Sequence, residues 1–402
     1  MGADVRLLWG PVRLRLFLFG HTVACMSGKT PVRAADLRGL NRLVIEATTG
    51  VTGVVEAMHH NISRVPGPRG ITGLVYRSIR GITRLVGGGI DAVLAPLAPL
   101  GAGKSSPGRE AVLAALNGVL GDHLVATGNP LAIPMGLRVV PTPGSRVLVL
   151  AHGLCMNDLQ WNRKGHDHGA ALARDLGFTP VYLHYNSGLH VSTNGRAFAD
   201  LLEDLVRQWP VPVEELVILG HSMGGLVTRS ACHYGSAAGH EWLAPLKKLV
   251  FLGTPHHGSA LERGGNHVDS ALGVSRYTAP LGRLGKIRSA GITDLRHGNL
   301  LDEDWEGRDR FEASEDPRRP VPLPEGVECY VMAAAAKKAG SLRSRLIGDG
   351  LVPVNSALGI HEEADRTLPI PESRQWIAPD MKHFDLLDRP EAYEKIRDWL
   401  AA

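Results

Sequence analysis

From residue 145 to 400 the chain alternates short runs rich in leucine and β-branched residues with amphipathic stretches, and this alternation constrains the fold more than any other feature. The runs "RVLVLAHGL" (146–154), "PVYLHY" (180–185), "LVILG" (216–220), "KKLVFLG" (247–253), "VECYVMAA" (327–334) and "RQWIAP" (374–379) read as strands. Helical patterns lie between them, at about 166–176, 194–209, from 223 and from 390, and Asn194 stands where an N-cap would open the second. Strands that are apolar throughout, separated by helices, predict a mostly parallel sheet covered on both faces. In such a sheet the chemistry sits in loops at the carboxyl ends of the strands.

The part before residue 127 has a different character. Leu37, Leu40, Val44, Val51, Val54, Met58 and Ile62 recur at helical spacing, "VPGPRG" (65–70) breaks the pattern, and a second helix is predicted over 71–93. A third helix occupies about 109–125. The region repeats "GVTGVV", "GITGLV" and "GITRLV", the last two 11 residues apart and so on one helical face. Residues 1–110 carry +8 against +4 for the whole chain. Two readings stay open for 34–126: a helical hairpin packed on the main domain, or a basic amphipathic surface that meets lipid or another apolar body. Residues 1–33 read as an extension outside the fold, disordered or preceding a true start at Met26. Its apolar run is interrupted by Arg13 and Arg15, and no 18-residue span of the chain is both uncharged and predominantly apolar, so a transmembrane helix is not expected.

A net charge of +4 and few aromatic residues do not suggest a nucleic-acid partner. Four widely spaced cysteines without a CxxC pair argue against a disulfide framework or a zinc site, so a cytoplasmic location is expected, peripheral to a membrane if the basic helices meet lipid, and secretion is not. The pairs "HH" (59–60) and "HDH" (166–168) lack a third ligand at metal-binding spacing and read as solvated surface histidines. No metal and no cofactor is expected.

The stretch "LVILGHSMGG" runs from a strand directly into a glycine-flanked serine, Ser222. A sharp strand-to-helix corner would lift this hydroxyl above the sheet edge, and it requires small residues two positions either side, here Gly220 and Gly224. A serine hydroxyl needs a base oriented by a carboxylate, in the chain order serine, acid, histidine. "GDGLVPVNSA" (348–357) supplies Asp349, and "DMKHFDLL" (380–387) supplies His383 just after the last strand. The rivals are His256, His257, His297 and His361 for the base and Asp385 for the acid. An oxyanion hole would draw one backbone N–H from Met223 and one from Leu154, which follows His152-Gly153 at the end of the first strand of this region.

With these stretches, and with "YNSG", "NGRAFADLLEDL" and "FLGTPHHGS", the chain over about 146–390 resembles the α/β-hydrolase superfamily, and within it the lipase-like and PGAP1-like (GPI inositol-deacylase-like) bacterial hydrolases. The resemblance implies an α/β-hydrolase fold over 140–402, Ser222 as nucleophile, Asp349 as acid, His383 as base, Leu154 and Met223 as oxyanion donors, and cofactor-free cleavage of small-molecule or lipid-like carboxylic esters. Acyl transfer would use the same residues with an alcohol in place of water. A lipid- or partner-binding protein that kept the fold without its chemistry is the other class of reading. The helical region 34–126 and residues 259–326, a cap or a solvated insertion, are additions to that fold.

Overall fold

The computed structural model describes residues 35–47, 107–139, 143–259, 288–312, 316, 318–335, 349 and 351–402. The extension 1–33, the helix expected over 71–93, the 59–60 histidine pair and residues 260–287 of the insertion lie outside the described residues.

Seven strands form one sheet in the order β1-β3-β2-β4-β5-β6-β7. They are β1 (Gly136–Val139), β2 (Arg146–Ala151), β3 (Thr179–His184), β4 (Glu215–His221), β5 (Leu246–Leu252), β6 (Glu328–Ala335) and β7 (Gln375–Pro379). Only β1 runs antiparallel to its neighbour, β3; all other pairs are parallel. The four-residue edge strand β1 has a half-exposed pattern, which is why no strand signal is visible there in the sequence.

Strand side chains alternate between two buried layers. Val147, Val149, Ile218, Leu249, Phe251 and Val331 face one core, shared with α3 (Val191–Gln208) and α4 (Met223–Ala238). Leu148, Leu150, Val217, Leu219, Val250 and Met332 face the other, shared with α2 (His168–Leu176) and α7 (Pro390–Ala401). Each fully buried leucine or valine of these strands contributes about 1.5–3 kcal/mol by leaving water. Burial on both faces thus explains why the strands lack polar alternation.

Two local expectations need correction. Asn194 is not an N-cap: α3 begins three residues earlier at Val191, and the buried Asn194 amide instead donates to the carbonyl of Asn186 at 2.9 Å. The "HDH" stretch is not a solvated surface either. His168 is fully buried, takes a 2.9 Å contact from His166 and reaches the Leu386 carbonyl at 2.9 Å, while Asp167 caps α2. Burial holds the His168 imidazole down at about 4, so it is neutral.

Before the sheet, α1 (Pro107–Ala126) lies against the loops at the carboxyl edge. The helical residues 35–47 are tied to it through Arg109 and Asp36, at 2.5 Å, and through His123 and Glu46, at 2.5 Å. Asn129 adds a 3.1 Å bond to the Gly39 carbonyl. The short helices α5 (Ala290–Asp294) and α6 (Val354–Ala357) complete the described elements. Ser289, the N-cap of α5, donates to the Gly118 carbonyl of α1 at 2.6 Å. No helix among the described residues is long and apolar enough to cross a membrane.

Candidate active site

β4, the central strand, ends at His221, and α4 starts at Met223, leaving Ser222 alone between them. Its backbone has φ 53° and ψ −125°, a region L-residues rarely occupy, and it persists because the surroundings fix it. The Ser222 amide donates to the Leu252 carbonyl at the end of β5 (2.8 Å), and its carbonyl accepts from Gly225 (3.0 Å). α4 passes so close to β2 that a Cβ on Gly224 would lie 2.3 Å from the Ala151 carbonyl oxygen. The glycine two residues after the serine is therefore a packing requirement.

The acid and histidine expected from the sequence meet. His383 Nδ1 and Asp349 Oδ2 are 2.6 Å apart, with both side chains nearly inaccessible. The other carboxylate oxygen, Oδ1, accepts the amides of Leu351 and Val352, each at 2.9 Å, so the carboxylate cannot rotate away. His383 opens a short 3-10 turn, 383–387, directly after β7. Its ring stands 4.8 Å, centroid to centroid, from that of His221, the residue before Ser222. The His383 carbonyl lies 3.4 Å from His221 Nε2. His221 is fully buried, and burial together with His383 holds its imidazole well below its usual range.

The rivals lie elsewhere. Asp385 accepts the Lys382 amide at 2.9 Å and caps its own turn. His256 is buried against Phe251 and Arg229, and His257 packs near His361.

After β2 the loop His152-Gly153-Leu154 runs over the serine. A Cβ on Gly153 would lie 3.1 Å from Ser222 Cβ, so the backbone approaches the serine closely here. The Leu154 amide donates to no protein acceptor among the described residues. Met223, as the first residue of α4, has an amide without an intrahelical acceptor. The Met223 amide thus stands at the positively polarised end of α4.

Several supporting residues escape sequence reasoning. Ser187 accepts the Cys155 amide at 3.0 Å and so fixes the residue after Leu154, which itself has φ 59°. Tyr185 stacks on His152 at 4.2 Å and donates to its carbonyl at 2.7 Å. α1 packs on the same loop: a Cβ on Gly118 would lie 2.2 Å from Cys155 Sγ. The "YNSG" stretch held the only signal for any of these, a polar cluster at the end of an apolar strand.

Residues 146–318 match the family model of the PGAP1-like alpha/beta domain. Solved structures similar to the chain include a Bacillus licheniformis lipase in its mature form, with 18% identity, 65% of this chain and 94% of that chain covered, and a TM-score of 0.40. The propeptide form of that lipase has 16% identity, covers 64% and 52%, and has a TM-score of 0.41. Lipase B of Aspergillus fumigatus has 11% identity, covers 66% and 56%, and has a TM-score of 0.40. Among curated proteins none matches. With its strand order and its strained serine corner the chain has an α/β-hydrolase fold, and within it residues 146–318 are similar to the PGAP1-like alpha/beta domain.

Proposed function

We propose that this protein is a serine esterase that cleaves carboxylic esters through an acyl-enzyme. The observation that carries the reading is the 2.6 Å contact of Asp349 with His383, beside a serine held in a strained strand-to-helix corner. A buried, doubly anchored carboxylate fixes the orientation and tautomer of the imidazole as proton transfer from the adjacent serine requires.

In this mechanism His383 Nε2 takes the Ser222 proton as Oγ attacks the ester carbonyl. Asp349 accepts the Nδ1–H bond and stabilises the imidazolium. The amides of Leu154 and Met223 hold the negative oxygen of the tetrahedral intermediate. The imidazolium then protonates the leaving alkoxide, releasing the alcohol. Water, deprotonated by His383, attacks the acyl group; collapse returns the proton to Ser222 and frees the carboxylic acid.

We take the esters to be lipid-like. Leu37, Leu40 and Val44 fall at i, i+3 and i+7 of the helical residues 35–47, and each is 43–56% exposed, an apolar stripe on the solvent side. A chain-length series of p-nitrophenyl esters on the wild type and on Ser222→Ala tests both claims. Turnover that rises with acyl length and vanishes in the variant is expected. Equal turnover of acetate and long-chain esters would overturn the lipid assignment, and retained activity in Ser222→Ala would overturn the mechanism.

A further inference from the structure

The turn that carries His383 is held from outside by two other histidines. Residues 383–387 form one short 3-10 turn between β7 and α7, a conformation whose own hydrogen bonds have poor geometry. His221 Nε2, at the end of β4, lies 3.4 Å from the His383 carbonyl. His168 Nε2, at the start of α2, lies 2.9 Å from the Leu386 carbonyl. Both imidazoles are fully buried, and the ring of Trp161, fully buried as well, stands 6.5 Å from His221 and 6.4 Å from His168.

The donors follow from the partners. A carbonyl can only accept, so each Nε2 carries a proton. Burial keeps both rings neutral at pH 7, with His168 lowered to about 4 and His221 well below its usual range. Each Nδ1 is therefore bare. On His168 it accepts from His166 Nε2 at 2.9 Å, in keeping with that tautomer. On His221 it has no hydrogen-bond partner among the described residues, and Gly153 of the oxyanion loop passes over it, where a Cβ would lie 3.1 Å from Nδ1. An apolar side chain at 221 would leave no polar atom unsatisfied, so packing does not account for a histidine there. Its bond to the backbone of the base does.

We propose that His221 and His168 are positioning residues whose Nε2–H groups pin the 383–387 turn, so that the His383 imidazole stays aimed at Ser222. The inference rests on the esterase reading. Asp349 holds the His383 ring through Nδ1, and the two buried histidines hold the backbone from which that ring projects. His221 also ties the base to the nucleophile, since it precedes Ser222 in the chain. A base misplaced by about 1 Å costs on the order of 10²-fold in rate.

Steady-state hydrolysis of p-nitrophenyl butyrate by the full chain tests this. His221→Leu and His168→Phe remove the donors and keep apolar bulk. In each, kcat should fall about tenfold or more while KM changes less than about twofold. Glutamine can bring an amide N–H close to the place of Nε2, so His221→Gln and His168→Gln should recover most of the lost kcat. Equal losses in the glutamine and apolar variants would mark a packing role and overturn the proposal. Wild-type kcat in a folded apolar variant would overturn it for that residue. If the variants do not fold, the wild type still decides. Nitrogen–proton correlation spectra of its histidine rings at pH 7.5 should show both protonated on Nε2 alone, and an Nδ1–H or charged ring at either position would overturn the proposal. A wild type that shows these tautomers but hydrolyses no ester would overturn the esterase reading, and the positioning role with it.

Discussion

Ser222 holds its backbone at φ 53°, a conformation that stores about 1–3 kcal/mol of strain. Glycine at that position would release the strain, against about 0.4–1 kcal/mol of extra unfolded-state entropy. Ser222→Gly is therefore expected to be more stable than Ser222→Ala, which keeps the Cβ, by about 1 kcal/mol. Urea midpoints check this, and equal midpoints would mean the corner is unstrained. At Asp349 the test is tautomeric. In Asp349→Asn the oxygen can still accept the amides of Leu351 and Val352, but the NH2 would face His383 Nδ1. The imidazole would then carry its proton on Nε2 and could not take one from Ser222. The expected loss in kcat is about 10³–10⁴-fold at near-native stability. A tenfold loss or less by steady-state assay would remove Asp349 from the mechanism.

At the scale of elements, the loop that carries Leu154 is clamped from both sides, by Ser187 through the Cys155 amide and by α1 through the close approach of Gly118. Gly118→Val would force α1 and Cys155 apart, since even a Cβ would stand 2.9 Å from the Cys155 amide nitrogen. The expected outcome is a fall in kcat of about tenfold or more, because misplacing one oxyanion donor removes 10²–10³ at the limit. Unchanged kcat in a variant with native circular dichroism would show that α1 does not position the loop. The contrast with the strands shows what was legible. β2, β4, β5 and β6 are visible in the sequence because burial on both faces leaves their central residues apolar, with charges only at or near the strand starts. The order serine, acid, histidine likewise anticipates the contact of Asp349 with His383. Gly118, by contrast, reads as a helix-weakening residue until the loop it meets is known, and the start of α3 is hidden because Asn194 serves tertiary packing rather than a cap.

The whole molecule stores neutral histidines in its interior. Burial lowers His152 to about 3 and His168 to about 4. Between pH 6.5 and about 4 the unfolded chain binds protons at these positions that the folded chain does not, so stability falls as pH falls. The slope is at most about 1.4 kcal/mol per pH unit for each histidine, and stability from this source is fully present above pH 6.5. Urea unfolding at pH 7.5 and 5.0 should show the lower midpoint at 5.0; an equal or higher midpoint there would contradict the neutral burial. No sequence pattern announces this, because "HDH" looks the same on a surface as in a core. The central claim, that the fold activates Ser222, is tested most directly by treating the folded protein with a fluorophosphonate and mapping the adduct by mass spectrometry. A single adduct on Ser222, absent in Ser222→Ala and formed far more slowly in His383→Gln, is the expected result. A folded protein that stays unmodified, or one labelled elsewhere, would contradict the account.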